Sequence, residues 1–245
     1  FSAQGHDGAV DPNFSASPVM MSDITQVNCV VPLPNGQSFV GGTFTYLSGG
    51  RTTNIGRIND DGSFDPSFVG QASGYVDGIF PLGDGSLFIS GNITDYSGAP
   101  RNGIVKLFAD GTLDTTFDPN VVHANLVAVQ PDGKLIIVGG FTSVDGVPRN
   151  RIARLHPDGT LDPTFDPGLG TDTAQIKKAF VLEDGSIIIV GNFSSYDGVP
   201  RPSIAKLNSD GTLNSAYIPG QRGTHPELAD AAFYSNGELY VGGES

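Results

Sequence analysis

The stretch Gln130–Pro167, QPDGKLIIVGGFTSVDGVPRNRIARLHPDGTLDPTFDP, contains every part of a unit that recurs along the chain. It holds an Asp-Gly pair, an apolar run that ends in Gly-Gly, a polar loop that ends at Arg149, an alternating segment and a second Asp-Gly pair. Asp-Gly between apolar runs is a strong signal for a β-hairpin, because both central residues of the favoured turn take positive φ. The stretch therefore predicts a small antiparallel sheet.

Two turn signals repeat along the chain with a shared period of about 50 residues. A self-match at a period of this size indicates a repeat architecture in which one unit stacks on the next. The signal before the apolar run occurs at Asn35-Gly36, Asp84-Gly85, Asp132-Gly133, Asp184-Gly185 and Asn236-Gly237, and the second at Asp7-Gly8, Asp61-Gly62, Asp110-Gly111, Asp158-Gly159 and Asp210-Gly211.

Each unit is predicted to form four strands, called A to D. In one of the units these strands are A at Leu126–Gln130, B at Lys134–Val138, C at Arg151–Leu155 and D at Leu161–Phe165. Strand B is almost wholly apolar, which predicts burial on both faces, whereas strand C alternates as a half-buried strand does. Pro163 suits an edge strand, where no backbone N–H has to be donated. No segment shows a helical period of apolar residues.

Helix-free units of four strands predict an all-β fold, a five-bladed β-propeller with antiparallel blades of about 50 residues. We expect a single domain over residues 1–245, and a fragment of a longer array is the alternative. Whole blades are predicted at 15–68, 69–117, 118–165 and 166–217, and the last blade combines 218–245 with 1–14, so that both termini close the ring.

The charge balance argues against two classes of partner. The chain carries 13 basic and 26 acidic residues, a net charge of −13, which opposes binding to nucleic acid or to an anionic membrane surface. No apolar run reaches the length of a membrane-spanning helix, so no membrane insertion is expected. Cys29 is the single cysteine and is predicted to be a buried small residue rather than half of an internal disulfide.

The loop between strands B and C supplies the candidate ligand-binding residues. An Arg ends this loop in each whole unit, and its planar guanidinium suits a bidentate bond to a carboxylate, here predicted as an interblade bond to Asp65, Asp114 or Asp162. A ring of ligand-contacting arginines is the alternative. A Tyr lies five residues before the Arg in three units, where it either stacks on a sugar ring or packs beneath the loop. The candidates are Tyr46, Arg51, Tyr96, Arg101, Arg149, Tyr196 and Arg201.

Metal binding and catalysis find little support in the sequence. The second turn superficially resembles a calcium loop, but calcium takes six to eight oxygen ligands, and in the four whole units a basic residue precedes the turn Asp by four positions. We predict an Asx-turn with a blade-edge salt bridge, and no metal or other cofactor. No nucleophile elbow, zinc-binding helix or phosphate loop occurs. Acidic residues that an axial active site would use are Asp23, Asp77, Asp172, Glu227 and Asp230.

The assembled consensus, V-x-A-V-Q-P-D-G-K-L-I-I-V-G-G-F-T-x-V-D-G-V-P-R-N-R-I-A-R-L-x-x-D-G-T-L-D-P-T-F, resembles the delta-60 repeat. That bacterial repeat occurs in tandem in large secreted or surface-attached proteins. The resemblance implies a β-propeller, an extracellular or cell-surface location and a parent chain with further domains. The family has no assigned activity, so it assigns no role to any residue.

These observations favour a non-catalytic extracellular binding module for a carbohydrate or surface polymer. The alternatives are a structural or protein-interaction scaffold within a larger adhesin-like protein, and a glycan-active enzyme with axial carboxylates. The expected partner is a glycan or an extracellular protein, and the expected state is a monomer, either complete or part of a longer chain.

Overall fold

Strand-length apolar runs separated by Gly- and Pro-containing turns form β-strands, and the described residues contain no helix. The computed structural model describes residues 24–119, 121, 124–173, 176–218, 227–233 and 239–244. The strands are β1 (Ile24–Pro32), β2 (Ser38–Phe44), β3 (Tyr46–Leu47), β4 (Gly50–Arg51), β5 (Ile55–Ile58), β6 (Val76–Pro81), β7 (Leu87–Gly91), β8 (Asp95–Tyr96), β9 (Ala99–Pro100), β10 (Ile104–Leu107), β11 (Ala124–Val129), β12 (Leu135–Gly139), β13 (Ser143–Val144), β14 (Val147–Pro148), β15 (Ile152–Leu155), β16 (Ile176–Val181), β17 (Ile187–Gly191), β18 (Ser195–Tyr196), β19 (Val199–Pro200), β20 (Ile204–Leu207), β21 (Glu227–Phe233) and β22 (Leu239–Glu244).

Within these residues, the longer strands form four three-stranded antiparallel sheets, which are called sheets 1 to 4 in chain order. The order is inner strand, central strand, outer strand: β1-β2-β5, β6-β7-β10, β11-β12-β15 and β16-β17-β20. β21 and β22 pair as a further antiparallel hairpin. Between the central and outer strand of each sheet lies a short two-stranded tip hairpin: β3-β4, β8-β9, β13-β14 and β18-β19.

The central strands are buried on both faces, as their apolar sequences predict. Successive side chains of a strand point to opposite faces. In β7, Leu87 and Ile89 therefore join the core shared with sheet 1, whereas Phe88 joins the core shared with sheet 3. In the same way, β12 divides its side chains between the cores on its two sides. The all-β prediction is confirmed, and this succession of small antiparallel sheets is typical of a β-propeller.

Each of these sheets has three strands where four were predicted. The predicted strand D forms a single β-bridge to the outer strand, for example Leu155 with Leu161. The chain turns away from the ladder directly afterwards, because the Asp162 carboxylate accepts the backbone N–H of Thr164. Phe165 is thereby directed into the core between sheets 3 and 4. The segment closes the sheet edge through a turn rather than through a fourth strand.

The Asp-Gly turns form hairpins, but with a different backbone from the one predicted. In sheet 2, Leu82 N–H donates to the Ser86 carbonyl at 2.8 Å and Gly85 N–H donates to the Leu82 carbonyl at 3.1 Å. Gly85 has φ +88°, while Asp84 keeps a negative φ. This is a turn followed by one left-handed Gly, not a turn with two left-handed residues. The Asp84 carboxylate accepts the Ser86 N–H and hydroxyl at 3.0 and 2.6 Å. The Asx-turn was predicted for the second turn signal, where Asp158 accepts the Thr160 N–H and hydroxyl at 2.9 and 2.7 Å, so that prediction is confirmed.

A buried carboxylate binds the outer strand to the turn that follows it. Asp65 Oδ1 accepts the Ser67 N–H and hydroxyl at 2.9 and 2.7 Å. Asp65 Oδ2 accepts Arg57 Nε at 2.7 Å and Gln37 Nε2 at 2.9 Å. Desolvation opposes ionisation of this carboxyl, but the Ser67 and Arg57 hydrogen bonds outweigh it and lower its pKa to about 2. The predicted blade-edge salt bridge is present here and recurs as Lys106–Asp114 and Arg154–Asp162.

The outer-strand cation also connects neighbouring sheets. Arg57 Nη1 donates at 3.0 Å to the carbonyl of Ala109, which lies in the turn that follows the outer strand of sheet 2. Its guanidinium lies 5.4 Å from the ring centre of Phe68, a residue of the core between the two sheets. Arg154 repeats this arrangement at 2.6 Å with the carbonyl of Ser209, in the turn that follows the outer strand of sheet 4. One side chain therefore links the outer strand, the closing turn and the next sheet.

We predict that Asp65→Asn lowers the free energy of unfolding at pH 7 by about 2 kcal/mol, because a hydrogen bond to a charged group is lost. The folded pKa lies below that of the unfolded chain, so the carboxylate stabilises the protein above about pH 4 and stops doing so as the pH falls towards 2. Urea unfolding measured from pH 7 to pH 2 tests both effects.

Sheet 4 supplies the control, because Asn214 naturally occupies the position of Asp65 and accepts the Ala216 N–H at 3.1 Å. Asn214→Ala should cost about 1 kcal/mol and leave the acid-induced loss of stability unchanged. Equal pH profiles for the wild type and Asp65→Asn would show that this carboxylate does not contribute to acid sensitivity.

Candidate functional site

The tip hairpins carry the predicted ligand-binding residues. Each hairpin turns through two left-handed residues, the second of which is Gly. The two-residue turn with positive φ at both positions was predicted at the Asp-Gly signals between apolar runs. The structure has it in the tip hairpins instead. The turns are Ser48-Gly49, Ser97-Gly98, Asp145-Gly146 and Asp197-Gly198.

When the tip hairpins are aligned on these turns, the predicted equivalences of the hairpin in sheet 1 are wrong by one residue. Leu47, not Tyr46, occupies the position of Tyr96, and Thr52, not Arg51, occupies the position of Arg101. Tyr46 and Arg51 are exposed, whereas Leu47 and Thr52 are buried. The predicted equivalences were wrong because the loops between strands B and C were aligned on the Arg that ends each of them. Counting from the Gly of the preceding turn finds the correct register, because the buried residue is always the eleventh after that Gly.

Tyr96 and Tyr196 lie fully buried beneath their hairpins. The Tyr96 hydroxyl donates to the Gly111 carbonyl at 2.7 Å, and the Tyr196 hydroxyl donates to the Gly211 carbonyl at the same distance. Burial raises the pKa of both phenols. Val144 fills the same position in sheet 3 and is also buried. Both tyrosines therefore pack beneath the loop, and neither ring has a face available for a sugar.

The arginines that end the loops are also largely structural. Arg101 and Arg149 are buried, and each donates Nη1 to the carbonyl of the preceding Pro at 2.7 and 2.8 Å. Arg201 makes the same bond at 2.9 Å. The nearest carboxylates are those of Asp118, 3.8 Å from Arg101, and Asp166, 3.9 Å from Arg149.

The predicted pairing of these loop arginines with Asp65, Asp114 or Asp162 is therefore wrong. Those carboxylates already bind the cations of the outer strands, which lie closer because strand and turn are adjacent in the same sheet. The loop arginines lie instead near the segment that leads to the next sheet, and their burial leaves little surface for a ligand.

The inner strands form a different surface, with one polar residue at each equivalent position. β1 contacts β6, β6 contacts β11, and β11 contacts β16, so neighbouring sheets place their inner strands side by side. Each inner strand has one residue paired with the last Gly of the central strand, and the next residue is polar in all four sheets. The residues at this position, which we call the inner ring, are Asn28, Asp77, Asn125 and Lys177.

A cavity of about 600 Å³ lies between β6, β11 and β16 and includes three members of the inner ring. Asp77, Asn125 and Lys177 line it together with Lys178 and the hydroxyl-bearing Ser90. Its apolar wall includes Phe80, Leu126, Val127 and Ile176. No sequence motif marks this cavity, although the change of residue type within an otherwise repeated unit was a usable signal.

The carboxylates proposed for an axial active site have different environments. Partial burial raises the pKa of Asp77, against a backbone hydrogen bond that lowers it. Asp172 instead accepts the Ser194 N–H at 2.9 Å and the Ser194 hydroxyl, which lower its pKa despite desolvation. Asp172 therefore serves to hold a loop. Asp23 lies outside the described residues, as do the side chains of Glu227 and Asp230.

Cys29 lies near this surface, where it is a poor nucleophile. Partial burial and the negative charge of Asp77 raise the pKa of its thiol to about 11, against a backbone hydrogen bond to Gly41. The reactive form of a cysteine is the thiolate, so this thiol is almost entirely in the inactive form at neutral pH.

The cavity combines a carboxylate, an amide and ammonium groups with an apolar wall, which are binding groups for a small polar molecule. In the described part of the chain, no group of three or more His, Cys, Asp or Glu side chains could hold a metal ion. The same residues include no helix long and apolar enough to cross a membrane.

We predict that Tyr196→Phe lowers the free energy of unfolding by about 1–2 kcal/mol, because the buried Gly211 carbonyl loses its hydrogen-bond donor. Tyr46→Phe is the matched control and should change it by less than about 0.5 kcal/mol, since Tyr46 is exposed. Urea unfolding of the two variants compares them directly. Equal losses would contradict the assignment of Tyr196, and not Tyr46, to the buried position.

Comparison with known proteins identifies the repeat. A crystal structure of a protein of unknown function from Bacteroides caccae aligns over 77% of this chain and 80% of that chain, with 13% identity and a TM-score of 0.30. A TM-score this low supports no conclusion about fold or function. No curated protein matches the chain.

The family described as "Domain of unknown function (DUF5122) beta-propeller" matches at four successive places, which are residues 33–68, 82–117, 130–165 and 182–217. Each match begins just before a central strand and ends at the Phe or Tyr that closes the sheet. The four matches together cover more than half of the chain, and the period equals that of the sheets. The chain belongs to the DUF5122 β-propeller family.

Proposed function

We propose that this protein is a non-catalytic extracellular binding module that recognises a carbohydrate or surface polymer in the cavity between β6, β11 and β16. The observation that carries the proposal is the inner ring, where equivalent positions hold an amide, a carboxylate, an amide and an ammonium group. Positions that hold the sheets together vary less, since an Asp that binds an outer-strand cation closes sheets 1 to 3 at Asp65, Asp114 and Asp162. Three kinds of polar group at one equivalent position suit an asymmetric ligand instead.

The chemistry of the cavity suits a sugar. Its volume lies within the roughly 300–1,000 Å³ of small-molecule sites. Asp77 and Asn125 offer acceptors and donors for hydroxyl groups. Phe80 and Val127 offer apolar surface for the C–H face of a sugar ring. A small number of polar groups on an apolar wall is the usual composition of a site that orients its ligand.

A protein-interaction scaffold is the second candidate, favoured by the surface of the tip hairpins. Val147 and Val199 occupy equivalent positions and are 41% and 40% exposed. Repeated exposed apolar residues at the tips provide a surface that a protein partner of a larger adhesin-like chain would contact. The buried tyrosines and arginines beneath them keep these hairpins in place.

We further propose that the repeats are of the delta-60 type and that they close into a five-bladed ring, as a monomer at the cell surface. β21 contacts β16 and β17, as each earlier inner strand contacts the preceding sheet. The hairpin β21-β22 then forms the fifth blade with residues 1–14, and the other blades span 15–68, 69–117, 118–165 and 166–217.

Closure predicts that the full chain elutes from gel filtration as a compact monomer at all concentrations. Deleting residues 1–14 should leave β22 with an unpaired edge and cause concentration-dependent self-association, because exposed strand edges pair with other chains. Self-association of the full chain would favour an open array, and a deletion variant that stays monomeric would argue against the fifth blade.

The binding function predicts reproducible hits when the full chain is screened on a glycan array, with the same hits in calcium and in EDTA. Calorimetry on the strongest hit should give about one site per chain for binding in the cavity, whereas four or five sites would indicate pockets repeated in every sheet. Asp77→Ala and Asn125→Ala should each weaken binding at least tenfold, because each removes a polar contact to the ligand.

Arg51→Gln is the matched control, because Arg51 is exposed on a tip hairpin, and it should bind as the wild type does. An array that stays blank in both buffers would reject the carbohydrate proposal in favour of the scaffold. Loss of signal in EDTA would show that a metal ion takes part.

A further inference from the structure

We infer that the cavity selects acidic glycans, with Lys177 as the contact for a ligand carboxylate. This inference rests on the carbohydrate-binding function proposed above and names the class of ligand. Its starting point is that Lys177-Lys178 is the single pair of adjacent basic residues in a chain with a net charge of −13. Both lysines lie on the wall of the one cavity for which a binding role is proposed.

A β-bulge brings the two lysines to the same side of the strand. Ile176 pairs with Gly191 and Lys178 pairs with Val190, so Lys177 is an extra residue without a partner in the ladder. In a regular strand, successive side chains point to opposite faces, which would send one lysine into the core. Here Lys177 and Lys178 are both exposed and line the cavity, while Ile176 and Ala179 on either side are buried.

Most other positively charged side chains among the described residues already bind groups within the sheets and their turns. Arg57, Lys106 and Arg154 bind the carboxylates that close the sheet edges. Lys134 and Lys206 lie 3.2 and 3.7 Å from the carboxylates of Asp162 and Asp184. Lys177 differs, because it forms no ion pair with any described residue. Its ammonium group is therefore available to a ligand.

The opposite wall sets the orientation of the ligand. Asp77 lies on β6 and Lys177 on β16, with Asn125 on the strand between them. A ligand carboxylate near Asp77 would meet a like charge, whereas near Lys177 it meets an opposite one. The carboxylate therefore points to β16, and the sugar hydroxyls point to Asp77 and Asn125.

The net charge of the protein further restricts which acidic glycans the cavity can bind. A net charge of −13 repels long polyanions, since their charges extend beyond the cavity. The favoured ligand is a short or sparsely charged acidic glycan, in which one carboxylate reaches Lys177. Because one or two charges are involved, raising the salt concentration should weaken binding only moderately.

The test is a glycan array on which oligosaccharides containing uronic acids stand beside their methyl esters and beside neutral glycans. The strongest acidic hit and its methyl ester are then titrated into the full 245-residue chain by calorimetry. We expect the ester, which has the same shape without the charge, to bind at least tenfold more weakly. Lys177→Gln should weaken binding of the acid at least fivefold and leave binding of the ester unchanged.

Two variants control the experiment. Lys177→Arg keeps the positive charge and should restore the preference for the acid, and Arg51→Gln removes an exposed cation outside the cavity and should have no effect. Equal affinities for acid and ester, or equal losses for both with Lys177→Gln, would overturn the inference and leave carbohydrate binding standing. Failure of every acidic, esterified and neutral glycan to bind would overturn the inference and the proposed function together.

Discussion

The structure depends on the burial of the central strands on both faces. In β12, Leu135 and Ile137 pack towards sheet 2, and Ile136 and Val138 pack towards sheet 4. A sheet with such a strand cannot bury both faces alone, so each unit requires a neighbour on either side. The same stacking places β6, β11 and β16 side by side. The cavity is therefore a consequence of how the core is shared.

Much of the acidity of the chain serves the turns. Asp61, Asp84, Asp110, Asp158 and other turn aspartates accept the N–H and hydroxyl groups of the residue two positions on, which lowers their pKa values. Asp65 and Asp162 instead bind cations of the outer strands. The net charge of −13 is thus mainly a result of building many turns with Asp. Lys177 and Lys178 stand out against this background because they lie in a cavity rather than at a sheet edge.

Repetition marks the residues that hold the fold, and departure from repetition marks the inner ring. Tyr96 and Tyr196 recur because each holds its hairpin to the sheet beneath it, and Arg101 and Arg149 recur because each binds the end of its hairpin. A search of the sequence for repeated aromatic and charged residues therefore found fastening residues first. Asn28, Asp77, Asn125 and Lys177 each follow the residue that pairs with the last Gly of the central strand, but they comprise two amides, a carboxylate and an ammonium group. No repeated residue type therefore marks them in the sequence.

The sequence by itself determined the strands, the turns and the period, because alternation of apolar residues and Asp-Gly chemistry act between residues that are close in the chain. It also predicted the Asx-turns and the salt bridges at the sheet edge. The burial of Leu47 rather than Tyr46 agrees with a count of eleven residues from the preceding turn Gly, a regularity that the structure made evident. Only the tertiary structure decided that strand D contributes one bridge. The tertiary structure likewise decided that a β-bulge places both Lys177 and Lys178 on the wall of one cavity. These features depend on strand pairing and on packing between sheets that are about 50 residues apart in sequence, where no local pattern specifies the register.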